Sequence, residues 1–264
     1  MRNGQFLLFA GILTAAVNPA FGTQLDGEPL SCDDFIISLE TKADIDFYST
    51  CPQLVGFVSI SHEFTGPLEM PNVKSIGRFN AGYLGPKLKF STRVEDEVTS
   101  ISMPALEEAT DWVLMAYLNN LTSISFPKLR TIGKDMVVLD NPELKTVSFL
   151  ALENVTAGIL IDGDINEINL PNLKHVAFLK IKSTGDIDCR ALGKNLSSLV
   201  FHPREFDVGK GFTCYTYDEQ NRYNSSDPTG SGPANPTSSE PSEGVSVRVG
   251  YLAALFSLVA MAIF

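Results

Sequence analysis

SISFPKLRTIGKDMVVLDNPELKTVSF, from Ser123 to Phe149, contains one apolar pattern twice. Large apolar residues stand at offsets −6, −3, −1, +2 and +5 from Pro127, and the same offsets recur around Leu150. Neither a helical period nor strict strand alternation produces this spacing. The residues are Leu121, Ile124, Phe126, Leu129 and Ile132, then Leu144, Val147, Phe149, Leu152 and Val155. The stretch is therefore two units of a structural repeat.

The same pattern extends through the middle of the chain. Its centres are Pro71, Pro104, Pro127, Leu150 and Pro171, at intervals of 33, 23, 23 and 21 residues. In the columns at −3, −1, +2 and +5, 19 of the 20 residues are large and apolar, against 44% hydrophobic residues overall. The long first interval is read as a normal rung with an inserted loop at residues 85–99. Periods in the low twenties are typical of solenoids, whose coils share one continuous core.

The segments between the centres have strand character. They are short, rich in β-branched or aromatic residues, and bounded by Gly, Asp or Asn. They cover residues 54–61, 111–118, 135–140, 157–162 and 176–182. The sequence therefore predicts an all-β chain, a right-handed parallel β-helix with a leucine-rich-repeat-like solenoid, with apolar residues inward and polar corners outward. The alternative is an ordinary leucine-rich horseshoe, but the stricter L-x-x-L-x-L-x-x-N pattern is not met.

Both ends of a solenoid expose unpaired edges and need caps. The segment TKADIDFYSTC predicts a short helix in which Thr41 and Asp44 form a capping box. The chain has 4 cysteines, which allow three pairings. Pairing neighbours, Cys32 with Cys51 and Cys189 with Cys214, would clip each cap through a short loop worth about 3 kcal/mol.

The two ends of the chain resemble processing signals. Residues 1–22 combine Arg2, an apolar run and small residues before a plausible cleavage point, as in a secretory signal peptide. Residues 245–264 are apolar and follow a spacer rich in Ser, Thr and Pro, as in a glycosylphosphatidylinositol (GPI) attachment signal. Gly244 is the first choice for the attachment residue and Ser242 the second. A membrane-spanning helix at either end is the alternative.

These signals divide the chain into six parts. We expect a signal peptide at 1–22, an N-terminal cap at 23–53, the β-helix at 54–188, a C-terminal cap at 189–220, a linker at 221–244 and a removed signal at 245–264. The secretory route makes four Asn-x-Ser/Thr sequons credible N-glycosylation sites. They are Asn120, Asn154, Asn195 and Asn224.

Charge and motif content argue against several function classes. With 20 basic and 31 acidic residues the net charge is −11, which does not favour nucleic acid as a partner. The 3 histidines, His62, His175 and His202, share no metal-ligand spacing or catalytic motif. We therefore predict no cofactor, no metal and no catalytic residue.

Two sets of residues still deserve a functional hypothesis. Parallel β-helices also serve as polysaccharide-cleaving enzymes, which use paired carboxylates. The acids that stacking could bring together are Asp162, Asp164, Asp186 and Asp188. Solvated turn residues are the simpler interpretation of these acids, and a Ca²⁺ site is a further one. The second set comprises polar strand residues that could line an exposed binding face, Ser59, Ser61, Lys180 and Lys182.

Three blocks of the sequence resemble a known family. They are TKADIDFYSTCPQLVGFVSIS, the rungs MPNVKSIG, FPKLRTIG and LPNLKHV, and the segment from DCRAL to GFTCY. Residues 30–216 are similar to the fungal GPI-anchored cell-wall organisation family of the sporulation-specific and extracellular-mutant group. The resemblance implies a receptor L-domain-like fold and a non-enzymatic surface glycoprotein needed for cell-wall integrity. Members of that family commonly have more rungs than this chain.

The sequence thus favours a GPI-anchored glycoprotein at the outer face of the plasma membrane or in the cell wall. A wall polysaccharide or mannoprotein is the expected partner, besides the outer membrane leaflet reached through the GPI lipid. Two alternatives stay open. One is a wall-polysaccharide-acting enzyme that uses the four acids, and the other is a receptor-like ligand-binding ectodomain.

Overall fold

The structure is a computed structural model and describes residues 29–61, 64–82, 97–200, 211–217 and 221–225. Several predicted features lie outside these residues: the signal peptide, His62, His202, most of the inserted loop, the linker beyond residue 225 and the attachment signal with Gly244 and Ser242. Among the described residues, no helix has the length and apolar character needed to cross a membrane.

The described residues form mainly short β-strands. The strands are β1 (Ile36–Leu39), β2 (Gln53–Ile60), β3 (Thr65–Glu69), β4 (Ser75–Gly82), β5 (Glu97–Ser102), β6 (Glu108–Ala109), β7 (Val113–Ala116), β8 (Ser123–Ser125), β9 (Thr131–Ile132), β10 (Met136–Leu139), β11 (Thr146–Ser148), β12 (Asn154–Gly163), β13 (Glu167–Asn169), β14 (His175–Ser183), β15 (Gly211–Tyr215) and β16 (Tyr223–Asn224). The helices are α1 (Lys42–Tyr48), α2 (Cys189–Leu196) and a 3₁₀ turn (Ser197–Leu199). The inserted loop was predicted to run to residue 99, but β5 already begins at Glu97 because it pairs with β3 there.

These strands stack as a parallel β-solenoid of about 6 turns, which confirms the predicted fold class. Each coil crosses a main sheet that runs from β1 in the N-terminal cap to β15 in the C-terminal cap. It then contributes to the opposite side, where β3, β5 and β8 pair with one another and β11 pairs with β13. Every strand pair in the described residues is parallel except β15 with β16.

The inner side of the main sheet carries an apolar residue at each coil. The residues that share one register row are Ile37, Val58, Phe79, Val113, Met136, Ile159, Leu179 and Phe212. All of them are fully buried. The four predicted apolar columns are buried as well, apart from Ile124, which is partly exposed and packs against the core. The repeat therefore encodes the core, as the sequence predicted.

Glycines form the tight corner at which the chain enters the main sheet. A Cβ atom at Gly77 would lie 2.3 Å from the carbonyl oxygen of Val55, and one at Gly133 would lie 2.0 Å from that of Thr110. Gly56 is equally close to the carbonyl oxygen of Asp34. Since no real Cβ contact is that short, these corners accept only glycine unless the backbone moves. This explains the glycine that ends the rungs KSIG and RTIG.

Two buried polar side chains satisfy backbone groups inside the solenoid. Asn141, 1% exposed, donates from Nδ2 to the carbonyl oxygen of Met115 at 3.1 Å and accepts at Oδ1 from the amide of Leu118 at 3.0 Å. Ser183 Oγ donates to the carbonyl oxygen of Ile165 and accepts from its amide. Buried backbone groups need such partners where a coil turns without pairing to its neighbour.

The caps agree with the prediction. Thr41 and Asp44 form the expected capping box at the start of α1, whose Ile45 and Tyr48 are buried against the first coil. The disulfides are Cys32–Cys51 and Cys189–Cys214, so the pairing of neighbours is confirmed.

Candidate functional site

The acids proposed for an enzyme are occupied by local contacts. Asp162 accepts from Lys182 Nζ at 3.0 Å, and Asp164 forms an ion pair with Lys145. Burial raises the pKa of Asp162, although Lys182 opposes that shift. The hydrogen bond from Lys145 lowers the pKa of Asp164. Each carboxylate is therefore paired with a lysine from a neighbouring coil.

The other two acids have separate tasks. Asp188 caps helix α2, where its Oδ1 accepts from the amides of Arg190 and Ala191, both at 2.9 Å. Asp186 is exposed, and its amide donates to Asn166 Oδ1. Asp164 and Asp186 lie between regular elements, as turn residues do, whereas Asp162 lies within β12 and Asp188 caps a helix. Within the described ranges no group of three or more His, Cys, Asp or Glu side chains could hold a metal ion, and His175 is exposed at the start of β14.

The four sequons differ in exposure. Asn120 is exposed in the turn between β7 and β8, and Asn195 is exposed near the end of α2. Asn154 and Asn224 are partly buried within β12 and β16. A glycan requires a solvent-facing asparagine. Asn120 and Asn195 are thus the more accessible candidates, and glycosylation of all four stays a prediction.

Apolar residues interrupt the predicted polar binding face in its middle coils. Ser59 and Lys180 share one outward register row of the main sheet. The coils between them contribute Asn80, Leu114, Val137 and Leu160 to that row. Leu114 is only 2% exposed and packs in a small second cluster with Ala116 and Leu139. Consecutive apolar residues in β7 and β10 place apolar side chains on both sides of the sheet, so the polar residues Ser59 and Lys180 do not form a continuous polar face.

A second outward row lies beside it, next to the glycine corners. Its residues alternate along the strands with the buried inner row, so their side chains face outward. The row consists of Phe57, Arg78, Trp112, Asp135, Gly158 and Phe178, and we call it the aromatic row. Ile36, which is 60% exposed, extends it at the N-terminal end. None of the residues in this row was predicted from the sequence as a site residue.

The centre of the aromatic row is a stack of charged and aromatic groups. The Arg78 guanidinium carbon lies 3.9 Å from the centroid of the Trp112 ring and 5.6 Å from that of Phe57. Asp111, one residue before Trp112, accepts at Oδ2 from Arg78 at 3.1 Å and from Lys134 at 3.2 Å. Arg78 is therefore fixed between two rings by a cation–π contact and an ion pair.

In the C-terminal half of the aromatic row, the Phe178 ring occupies the space that a side chain at position 158 would fill. A Cβ atom at Gly158 would lie 2.1 Å from the Phe178 ring, so the absence of a side chain leaves room for that ring. The Gly158 amide donates to Asp135 Oδ1 at 2.9 Å. Burial is the main cause that raises the pKa of Asp135, and the nearby Asp111 carboxylate adds to it. Asp135 is thus a partly buried carboxylate held beside aromatic groups.

Unsatisfied polar atoms concentrate at the same place. Among the described residues, the buried side-chain nitrogen and oxygen atoms without a hydrogen-bond partner are Asn80 Oδ1, Asp111 Oδ1 and Trp112 Nε1. Asp111 and Trp112 belong to the corner and strand entry of one coil, and Asn80 lies on the strand that this coil pairs with. Buried polar atoms are almost always hydrogen-bonded, so such a cluster calls for an explanation. It distinguishes this part of the outer surface from the rest.

Comparison with known proteins gives one informative match. The chain is 31% identical over 156 residues to "Protein ecm33" of Aspergillus fumigatus, an alignment that includes 59% of this chain and 34% of that protein. The match therefore spans about a third of the length of the curated relative. No family model matches the chain, and no solved structure matches it. The match supports the predicted resemblance to fungal cell-wall proteins, but neither the sporulation-specific group nor the receptor L-domain-like detail.

Proposed function

We propose that this protein is a non-enzymatic, GPI-anchored surface glycoprotein that contributes to the organisation and integrity of the fungal cell wall. The observation that carries the proposal is the similarity to protein ecm33 of a fungus, together with the family-like cap and rung motifs. Because the match includes only 34% of that relative, the role of the whole relative is a proposal for this chain.

The geometry supports a binding role in preference to catalysis. The acids suggested for an enzyme are engaged in ion pairs, as for Asp164 with Lys145, or in a helix cap, as for Asp188. Retaining or inverting hydrolysis needs two carboxyl groups facing one bond, one as the acid and one as base or nucleophile. A rigid parallel solenoid instead offers an extended surface, which is how repeat proteins commonly bind partners.

A surface location is supported by the features that secretion would use. Both disulfides clip the caps, and disulfides persist in oxidising compartments. The proposed leader at residues 1–22, the sequons and the tail with Gly244 or Ser242 complete the route to an outer-leaflet GPI anchor. The expected partners are a wall polysaccharide or a mannoprotein.

The anchor is tested by enzymatic release from intact fungal cells that express the chain with an epitope tag after Gly22. Release by phosphatidylinositol-specific phospholipase C is expected for a membrane-held GPI protein, and release by glucanase for covalent transfer to the wall. Release by detergent alone, with the apolar tail retained, would contradict the anchor.

The role in the wall is tested by deleting the gene and growing the cells with Congo red or Calcofluor white. We expect hypersensitivity that the full chain restores. Normal growth of the deletion strain under wall stress, with unchanged wall composition, would refute a role in wall integrity.

A further inference from the structure

We infer that the aromatic row is a binding surface for an uncharged, linear β-linked polysaccharide that lies along the solenoid axis. This deepens the proposed function, on which it rests, because it names the ligand class and the residues that contact it. The row would act through the exposed parts of the Phe57, Trp112 and Phe178 rings, together with unpartnered polar atoms of Asn80, Asp111 and Trp112.

The first argument is the placement of three partly exposed aromatic rings in one outward row of the sheet. Outward strand positions are ordinarily polar when one side of a sheet faces water. Three aromatic residues instead fall in one outward row, and all three are partly exposed. Ile36, at 60% exposure, and the nearby Phe35, at 83%, extend the apolar surface beyond Phe57. Contiguous exposed apolar surface marks interaction sites.

The second argument is the direction and period of the row. It crosses the strands at right angles, from Phe57 to Phe178, over five strand spacings or about 24 Å. A strand spacing is similar in length to one hexose unit of an extended polysaccharide, so successive sugars would meet successive coils. A polymer of repeating units matches such a surface better than a compact ligand does.

The third argument is that the centre of the aromatic row contains both a hydrogen-bond donor and acceptors without partners. Trp112 Nε1 is a donor, and Asp111 Oδ1 and Asn80 Oδ1 are acceptors, and all three lack a partner. An unsatisfied buried polar group is destabilising, so a ligand that pairs it gains affinity. Sugar hydroxyls donate and accept, and sugar C–H faces pack on aromatic rings. Because these atoms are buried, the ligand reaches them only when a neighbouring side chain moves. We assign that movement to Lys134, whose side chain is 53% exposed and would have to leave its 3.2 Å contact with Asp111 Oδ2.

Charge decides between neutral and anionic polymers. The chain carries a net charge of −11, and the centre of the row contains the carboxylates of Asp111 and Asp135. Arg78 is already neutralised by Asp111 and covered by Trp112. Arg78 and Lys134 together balance Asp111 and Asp135, so the row has no surplus positive charge that would hold an acidic polysaccharide or a nucleic acid. The net charge of the chain repels both, whereas a neutral polymer meets no such repulsion.

The test measures binding of the full chain, purified in detergent from a fungal host, to laminarin, cellohexaose and chitohexaose by calorimetry or affinity electrophoresis. Yeast mannan and heparin are the comparison ligands. We expect binding to at least one β-linked neutral polymer and no binding to heparin. Trp112→Ala should weaken that binding roughly tenfold or more, as loss of a ring contact predicts.

Two further variants separate binding from folding. Phe57→Leu preserves apolar volume but removes a ring, so it should weaken binding without lowering the melting temperature. Tyr217→Ala removes an aromatic side chain that is 82% exposed and lies outside the row, and it should bind as the native chain does. Absence of binding to all three β-linked polymers, binding to mannan or heparin alone, or native affinity in both the Trp112→Ala and the Phe57→Leu variants would overturn the inference.

Failure here is distinguishable from failure of the proposed function. If the deletion strain is hypersensitive to wall stress and the Trp112→Ala chain restores growth fully, the wall role stands and the aromatic row is not its site. If the purified chain binds β-linked polymers through the row but deletion has no effect on the wall, the site stands and the proposed function fails.

Discussion

On its inner side the main sheet carries a fully buried apolar residue at every coil, whereas on its outer side aromatic, charged and aliphatic residues alternate from coil to coil. The inner side is determined by packing, because each coil must bury its stripe against the next. The outer side is under no such demand, yet it holds Trp112 and two phenylalanines in register. The inner side thus maintains the fold, and the outer row is the surface for which we propose contact with another molecule.

The largest expected difference between the two sides is the response to losing a phenyl ring. Phe79 is fully buried, with its ring 6.2 Å from that of Phe126 in an edge-to-face contact. Phe79→Ala should lower the free energy of unfolding by about 3–5 kcal/mol, since it leaves a cavity. Phe35→Ala, at 83% exposure, should change it by less than about 0.5 kcal/mol. Urea unfolding checks both, and equal losses would remove the distinction between the sides.

The next effect concerns Asn141, a polar side chain buried inside the solenoid. Asn141→Ala leaves the Leu118 amide and the Met115 carbonyl buried without partners, and we expect a loss of about 2–4 kcal/mol. Asn172→Ala is the matched control, because Asn172 is exposed and bonds only one carbonyl, that of Leu150. It should cost less than about 1 kcal/mol. A smaller loss for Asn141→Ala than for the control would show that the inner side tolerates unpaired backbone groups.

The corner between the two sides gives a third, smaller effect. Gly133→Ala places Cβ 2.0 Å from a backbone oxygen that can yield only if the coil shifts, and we expect a loss of about 1–3 kcal/mol. Gly163→Ala is the control, since its Cβ would have no neighbour closer than 3.9 Å. Thermal unfolding of both variants tests the corner. If Gly163→Ala destabilises as much as Gly133→Ala does, steric fit is not what selects glycine there.

The inner side could be predicted from the sequence because each repeat must place an apolar residue at the same core position. Leu129 and Leu152 report the same core position, so the columns, the strands and the need for caps follow from the spacing alone. The even number of cysteines and their position at the two ends also sufficed for the disulfides. Only the exact strand limits, such as the start of β5 at Glu97, required tertiary pairing to be known.

The outer side was harder to predict because the register between coils decides which of its residues lie side by side. Phe57 and Phe178 are 121 residues apart, and their alignment appears only after the insertion between Arg78 and Trp112 and the bulge in β12 have been placed. A usable signal existed: Phe57, Arg78 and Trp112 each stand directly before a fully buried residue, so alternation places them outward. The apolar runs VLMA and MVVL carried a second signal, because a strand without polar residues is covered on both sides.

The smallest effect concerns a charge on the outer side. Burial is the main cause that raises the pKa of Asp135 above 3.8 in the folded state. The folded state therefore binds more protons than the unfolded state once the pH reaches about 4. Stability contributed by this group is present at low pH and decreases as the pH rises toward the folded pKa. Asp135→Asn, which retains an oxygen for the Gly158 amide, should remove that decrease and be more stable than the native chain at neutral pH.

Asp164 should show the opposite sign, because Lys145 lowers its pKa. Its contribution is present above the unfolded pKa and decreases as the pH falls through the folded one, so Asp164→Asn should lose stability at neutral pH. Melting temperatures of both variants between pH 3 and pH 7, spanning the ordinary range of Asp titration, provide the comparison. A neutral-pH gain for Asp135→Asn would mean that the aromatic row keeps a charge at the expense of stability, which a surface shaped only by folding would not do. A loss would mean that the carboxylate stabilises the fold, and the presence of this charge in the row would then need no ligand to explain it.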